Sequence, residues 1–556
     1  MTTPGPRFDG PELARTPANH VALSPLSLLR RTALVHPDRP AVIHGDLRRT
    51  WREVDLRCRR LASALTARGI GRGDVVAVLL PNGPEALECA LAIPMTGAVL
   101  NALNTRLDPE SLGHILAHGG ARVLIADAAL VPLAREAMAR AGSAPLIVTT
   151  GPASAGDDLT SDALTWDGLI AAGRDDFLPA LPDDEWEPLS LNYTSGTTGL
   201  PKGAVYSHRG ACLNAVNNAI TWEMGHFPVY LWTLPLFHCN GWCFPWTVTM
   251  LAGTHVFLPG ATEGAAILDA IRRHGVTHLC GAPVIMAMLA DAASAQPQRL
   301  VRRVAFMTAA APPPAPVIAA LESCGFDITH VYGLTEVYGP AVVCAIPPGW
   351  QDRPADERAR LKARQGVAYE LEEEVSVLDP ATGTPVPHDG QTQGEVVFRG
   401  NICMMGYLGD AEGTARAFRD GWFWSGDIAV RHADGYIEIC DRAKDIIISG
   451  GENISSIRIE KAICDHPAVA QAAVVARPDA RWGEVPCAFV EIRPGCTLTQ
   501  AALAEHCRAR LAGFMMPKAF VFGTLPVTGT GKIQKHRLRE GARADPPAFL
   551  PDGAMP

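Results

Sequence analysis

The stretch that decides the fold is "LNYTSGTTGLPKGAVYSHRG", Leu191 to Gly210. An apolar run leads into it, and then Thr194, Ser195, Gly196, Thr197, Thr198, Gly199, Pro201, Lys202 and Gly203 crowd together. Glycine and proline mark a turn, while hydroxyls, exposed amides and one ammonium make a pocket of donors suited to an anion. A Walker-type loop fails on counting. From Gly196 the second required glycine is Pro201, and Gly203 follows Lys202 where a hydroxyl should meet magnesium. What remains is a hydroxyl-rich loop able to wrap the pyrophosphate end of a nucleotide. A plain Gly/Ser/Thr surface turn is the simpler alternative, and it leaves the Pro-Lys-Gly that follows without a reason.

Composition bounds the rest. At 556 residues the chain is too long for one core, so two or more domains are expected. With 47% hydrophobic and 19% charged residues it reads as globular, and a net charge of -9 offers no basic stripe, which argues against nucleic acid as a partner. The 14 cysteines are scattered singly, as reduced thiols are, and "MTTPGPRFDGPELARTPANH" has no apolar signal core. A cytoplasmic location is therefore expected. "HCNGWC" holds His238, Cys239 and Cys243 without a second cysteine pair, so structural zinc is set aside. Phe227 to Thr262 lacks acidic and basic residues other than histidine, but Pro228, Pro235, Pro245 and Pro259 break it, which suits buried strands and loops and not a membrane span.

Along the chain, "DVVAVLLPNGPEALECALA", "ARVLIAD", "APLIVTT", "THVFLPG" and "RVAFMTAAAP" repeat a short apolar run ending in a turn, with helical periodicity between. This predicts an α/β fold with parallel sheets, whose ligands bind beyond the strand C-termini. "TTGPASAGDDLTSDALTWDG" reads as a polar connector, and "EEEVSVLDPATGTPVPHDGQTQGEVVFRG" alternates turns with strands. After "DRAKDIIISGGENIS" the texture becomes that of a small α+β unit of about 110 residues. The expected division is 1–443 and 444–556, with Gly450 and Gly451 supplying flexibility just beyond it.

At "YTSGTTGLPKG" the chain closely resembles the adenylate-forming (AMP-binding) superfamily of acyl-CoA synthetases, adenylation domains and beetle luciferases. "YGLTE" (Tyr332 to Glu336), "GWFWSGDIAVRHADGYIEICDRAKDIIISGGENIS", "WGEVPCAFVE" and "TGTGKIQKHRLR" follow in that family's order. "LPLFHCNGWCFPW" and "RLKARQGV" look most like the branch of short- and medium-chain acyl-CoA ligases and methylmercaptopropionate-CoA ligases. The resemblance implies a large N-terminal domain of helix-flanked sheets with a distorted β-barrel subdomain, and a small mobile C-terminal domain. It also implies a two-step ligase of fatty acid metabolism, in which a carboxylate and ATP give acyl-adenylate and pyrophosphate, and coenzyme A then displaces AMP. The chemistry agrees: a carboxylate is already a nucleophile, and no GxSxG is present. Loading of a separate carrier protein and an aryl-acid ligase are the rival readings, and a homo-oligomer stays open.

The resemblance also carries residues over. Thr194, Ser195, Gly196, Thr197, Thr198 and Lys202 would hold the pyrophosphate end of ATP. Glu336 matches the magnesium ligand, and Thr335 would bond the α-phosphate; a glutamate after threonine is otherwise a common helix start. Asp427 matches the ribose-binding aspartate, and Arg442 would face ribose or phosphate, with a buried ion pair as the simpler alternative. "TAAAPPP", Thr308 to Pro314, and Tyr332 correspond to the adenine slot, with Ala310 where glycine is common. His238 would stand between acyl pocket and thiol tunnel, with Trp232, Trp242 and Trp246 narrowing that pocket; each also suits a core. Lys444 matches the hinge, Gly450 and Gly451 the thiol tunnel, and Trp424 stands where histidine is common.

Lys532, in "GTGKIQKHR", is the candidate for the charge that meets the reacting phosphate, against the alternative of a solvated lysine. One ammonium about 4 Å from a phosphoryl oxygen is worth roughly 4 kcal/mol at an effective dielectric near 20, which is roughly a thousandfold in rate. Lys532→Ala is accordingly expected to abolish acyl-adenylate formation while still converting supplied acyl-adenylate and coenzyme A to thioester. Equal loss of both half-reactions would count against this role.

Overall fold

A computed structural model describes residues 8–151, 164–194, 201–260, 263–295, 299–309, 315–450, 452–527, 533–544 and 546–549. The apolar run ahead of the opening stretch forms the strand Pro188–Tyr193, and the run after it forms Gly203–Ser207, antiparallel to the first. These two sit near one end of an eight-stranded sheet. It continues through parallel strands Val99–Ala102, Val75–Leu79, Ala121–Asp127, Leu146–Thr150 and Leu164–Thr165, and Gly406–Tyr407 pairs on the outer side of Gly203–Ser207. A nine-stranded sheet runs in parallel from Pro40–His44 to Phe326–Leu334, and turns antiparallel at Gly339–Val343. The repeated apolar runs are therefore strands, covered by helices, with one large core and two smaller ones packed against the sheets.

The strand-and-turn segment forms an antiparallel sheet of Glu374–Leu378, Gln393–Arg399, Phe418–Arg419, Trp422–Arg431 and Ile437–Arg442. Beyond it lies the small α+β sheet, with Val469–Asp479 and Gly483–Ile492 as its long pair. Alternate residues of this pair face two cores. Val474, Ala488 and Val490 join one, and Ala473, Val475, Cys487 and Phe489 the other, which explains an apolar run without polar gaps. Among the described residues no helix is long and apolar enough to cross a membrane.

Two segments differ from expectation. The tail of the polar connector folds as the helix Trp166–Ala172, because the Thr165 side chain caps the Gly168 amide and Trp166, Leu169 and Ile170 find a core. In the proline-broken stretch, Phe244–Met250 is a helix whose proline lies in the first turn, where no amide partner is lost.

One hairpin leads out of the nine-stranded sheet to meet the other two. Phe326–Leu334 runs out of the nine-stranded sheet, turns through Thr335–Val337, and returns as Gly339–Val343. The two arms are so close that a Cβ on Gly333 would lie 1.8 Å from the Gly339 carbonyl oxygen. Gly333→Ala is expected to cost about 1–3 kcal/mol through overpacking, seen as a lower thermal midpoint together with impaired adenylation. An unchanged midpoint would contradict the close approach.

Candidate active site

The hairpin tip carries Thr335 and Glu336, and three separate elements hold it. The Tyr206 hydroxyl donates to the Thr335 carbonyl at 2.6 Å, and its ring stacks on Tyr338 at 3.9 Å. The Met404 amide donates to the Glu336 carbonyl at 2.7 Å, and the Tyr407 hydroxyl to Glu336 Oε1 at 2.8 Å. Removal from water raises the Glu336 carboxyl above its ordinary range, and the Tyr407 hydrogen bond pulls against that shift by favouring the charged form. Lys202 stands on the other side of Tyr407, its ammonium 4.9 Å from the ring centre and 2.8 Å from Asp410 Oδ2. The Thr194 amide donates to the Lys202 carbonyl at 2.9 Å, so the two ends of the opening stretch meet.

A second group lies one turn back along the same strand. The Tyr332 hydroxyl donates to Asp427 Oδ2 at 2.7 Å, and Arg442 Nε lies 3.3 Å from Asp427 Oδ1. Asp427 and Arg442 face each other in register across Trp422–Arg431 and Ile437–Arg442. The ion pair given above as the alternative for Arg442 is thus present. Lys444 follows, where partial loss of hydration and then the guanidinium groups of Arg442 and Arg539 push its ammonium down to about 8.

The wall beside Thr335 is a left-handed turn. Cys239, Asn240, Gly241, Trp242 and Cys243 all have positive φ, between 43° and 64°. Four are not glycine, and each costs about 1–2 kcal/mol in this conformation, so the turn has to be held from outside. The Asn240 amide donates to Ser190, Asn192 Nδ2 donates to Asn240 Oδ1 at 3.1 Å, and Asn218 Nδ2 donates to the Trp242 carbonyl at 2.8 Å. Trp242 packs against Gly339, and Gly241 lies where a Cβ would meet the Trp232 ring at 2.7 Å. His238 begins the turn, its ring centre 6.5 Å from that of Trp242, and Cys239 Sγ lies 3.7 Å from Thr335 Oγ1.

The expected residues therefore divide. Thr194, Lys202, His238, Thr335 and Glu336 gather at the hairpin tip, and Tyr332, Asp427, Arg442 and Lys444 gather behind it. Gly450 lies elsewhere, in the small sheet: its φ is +60°, its amide donates to the Trp482 carbonyl at 2.8 Å, and a Cβ would meet the indole at 2.8 Å. Indole packing is a sufficient reason for that glycine. Trp232 and Trp246 are core residues, while Trp242 faces the hairpin. Trp424 packs with Leu378 and Val397 under the Arg419 guanidinium. Ser195, Gly196, Thr197, Thr198, Ala310, Gly451 and Lys532 lie outside the described residues. Sequence reading missed Tyr407 and Tyr206, whose partners are distant in the chain; "GYLGD" offered only a turn signal.

Two family models match this chain: AMP-binding enzyme over residues 29–408 and AMP-binding enzyme C-terminal domain over residues 458–532. The chain belongs to the AMP-binding enzyme family. It is 46% identical over 550 residues to an Arabidopsis thaliana protein named peroxisomal acetate/butyrate–CoA ligase, covering 96% of each chain. A Humulus lupulus protein named 2-methylpropanoate–CoA ligase is 45% identical over 543 residues, covering 96% of this chain and 97% of that one. Among solved structures, an anthranilate CoA ligase in complex with anthranoyl-AMP superposes with a TM-score of 0.82 at 25% identity, over 95% of this chain and 99% of that one. The fold of this AMP-binding enzyme, a large N-terminal and a small C-terminal domain, is as expected. The cytoplasmic location is corrected, because the Arabidopsis relative is peroxisomal by name. Scattered thiols do not distinguish one internal compartment from another.

Among the described residues of this AMP-binding enzyme, no group of three or more ligating side chains could cage a metal. One hard carboxylate, Glu336, held by a neutral donor, fits the manner in which magnesium is bound together with substrate phosphates. Tyr407→Phe removes the bond that favours the charged carboxylate, so the acid limb of the rate against MgATP should move to higher pH. Activity on that limb should fall by about tenfold, since a hydrogen bond to a charged group is worth about 1.5 kcal/mol or more, and should recover at high pH. A pH-independent loss would exclude this role.

Proposed function

We propose that this AMP-binding enzyme activates a small aliphatic carboxylic acid as its acyl-adenylate and transfers the acyl group to coenzyme A. The observation that carries this reading is the hairpin Tyr332–Gly339, which joins Asp427 and the Thr335-Glu336 pair into one unit beside Lys202. The acid's carboxylate oxygen attacks the α-phosphorus of ATP and pyrophosphate leaves. The thiolate of coenzyme A then attacks the acyl carbonyl carbon, and AMP leaves with the bonding electrons. Lys202 and the hydroxyls Thr194, Ser195, Thr197 and Thr198 hold the β- and γ-phosphates, while Thr335 orients the α-phosphate. Asp427 accepts from the ribose hydroxyls, with Arg442 beside it, and Tyr332 and Ala310 border the adenine. Glu336 would hold magnesium, which when bound offsets phosphate charge. Lys532 supplies positive charge to the first step.

The domains are proposed as 1–443 and 444–556, turning about Lys444, so that Gly450 and Gly451 face the thiol in the second step. His238 separates the acyl and thiol sides. A short acid is favoured if Trp242, which packs on Gly339 and lies beside His238, narrows the acyl pocket. The names of the acetate/butyrate and 2-methylpropanoate relatives point the same way. The anthranilate ligase keeps an aryl acid as the second reading, at lower identity.

A pyrophosphate-release screen over a carboxylate panel, with and without coenzyme A, followed by mass detection of the thioester, tests this. Acetate, propanoate, butyrate and 2-methylpropanoate should be turned over at least about tenfold faster than octanoate or cinnamate, the equivalent of roughly 1.4 kcal/mol in the transition state. Thioester formation led by an aryl acid would reverse the size argument, and acyl-adenylate without thioester would favour a carrier protein as acceptor.

A further inference from the structure

The helix Pro109–His118 carries two histidines one turn apart, and neither belongs to the residues assigned so far. The rings of His114 and His118 stack with centres 5.3 Å apart and planes 22° from parallel. Each reaches a different side of the opening stretch. His118 Nδ1 lies 2.7 Å from the hydroxyl of Tyr193, the last residue of Pro188–Tyr193. His114 Nε2 lies 3.2 Å from the carbonyl oxygen of Pro201, two residues before Gly203–Ser207 begins. A carbonyl only accepts, so His114 carries its proton on Nε2.

The same helix face touches the segment that holds Lys202. A Cβ on Gly409 would lie 3.3 Å from His118 Nε2, and the next residue, Asp410, pairs with Lys202 at 2.8 Å. Tyr193 packs its ring edge-on against both imidazoles, with centres at 6.5 and 5.8 Å. Partial burial, and then the neighbouring His114, hold His118 below the usual imidazole range, which suits a neutral ring accepting the Tyr193 proton.

We propose that His114 and His118 are positioning residues for the triphosphate. They tie the two strand ends on either side of the phosphate-binding stretch to one rigid helix, and so fix where Thr194 and Lys202 stand. The inference rests on the ATP-dependent reaction proposed above and adds to it a pair of residues that touch no substrate.

The test uses the full-length enzyme with His114→Leu, His118→Leu, the two glutamine counterparts and Tyr193→Phe. Each leucine variant should raise KM for MgATP by about fivefold, the equivalent of one lost hydrogen bond. KM for the carboxylate should change less than about twofold. The rate of thioester formation from supplied acyl-adenylate should hold, since that step uses no triphosphate. Glutamine, which keeps an N–H donor and an acceptor, should restore part of the MgATP affinity, and Tyr193→Phe should match His118→Leu without adding to it in the double variant. If the leucine variants do not fold, Tyr193→Phe, which removes the same bond to His118, carries the test through its KM for MgATP. An unchanged KM for MgATP, or a parallel fall in both half-reactions with no rescue by glutamine, would overturn the proposal. Should the parent enzyme make no acyl-CoA from any acid, calorimetric MgATP affinities of the same variants decide the inference separately.

Discussion

Five residues, Tyr332 to Glu336, bear the joint on which the large domain depends. They leave the nine-stranded sheet at the point where the other two sheets of that domain arrive. Tyr332 donates its proton to Asp427 in the antiparallel sheet, and Glu336 accepts one from Tyr407 at the edge of the eight-stranded sheet. Withdrawing two carboxylates from water is costly unless each is met by a donor or a charge. A hydrogen bond to a charged group returns about 1.5–3 kcal/mol, and the Arg442 guanidinium adds to it at Asp427. Each carboxylate is thus stable only while its sheets keep their relation. A ligand that competes for these oxygens, as ribose hydroxyls or a cation would, acts on three sheets together.

Strain is concentrated beside that joint. The turn from Cys239 to Cys243 keeps five successive residues in the left-handed region, and Tyr338 across from it shares that conformation. Asparagines do the holding. Asn214 and Asn218, on the helix His208–Thr221, donate to the carbonyls of Tyr338 and Trp242, and Asn240 is fixed by Ser190 and Asn192. Buried amides can satisfy both donor and acceptor needs of an irregular backbone, which apolar packing cannot. The result fixes Trp242 and the backbone of His238 beside the hairpin tip.

The passage into the small domain is polar in a different way. Buried Asp441 accepts from the amides of Arg442 and Ser456, at 2.8 and 2.5 Å, and Arg539 pairs with Asp445 and reaches the Lys444 carbonyl. Lys444 therefore sits among like charges, with its ammonium lowered to about 8. The two cores of the small sheet lie wholly beyond this point.

The amino-acid sequence by itself determined the α/β class, the order of the sheets' apolar runs and the small C-terminal unit, since strand runs and turn residues are local signals. It also marked Thr335, Glu336, Asp427, Arg442 and Lys202, because motif spacing survives in one dimension. It read Trp166–Gly168 as the end of a connector and Phe244–Met250 as part of a stretch of strands and loops, where the cap and the first-turn proline were visible but the core that rewards them was not. Only the tertiary structure decided that Tyr332 belongs to Asp427 and Tyr407 to Glu336, that Trp232 supports a turn while Trp242 faces the hairpin, and that two histidines on one helix reach both ends of the opening stretch. Those pairings join residues some 70 to 95 positions apart. No local preference encodes them; they arise when buried polar groups from different sheets must satisfy one another in the same small space.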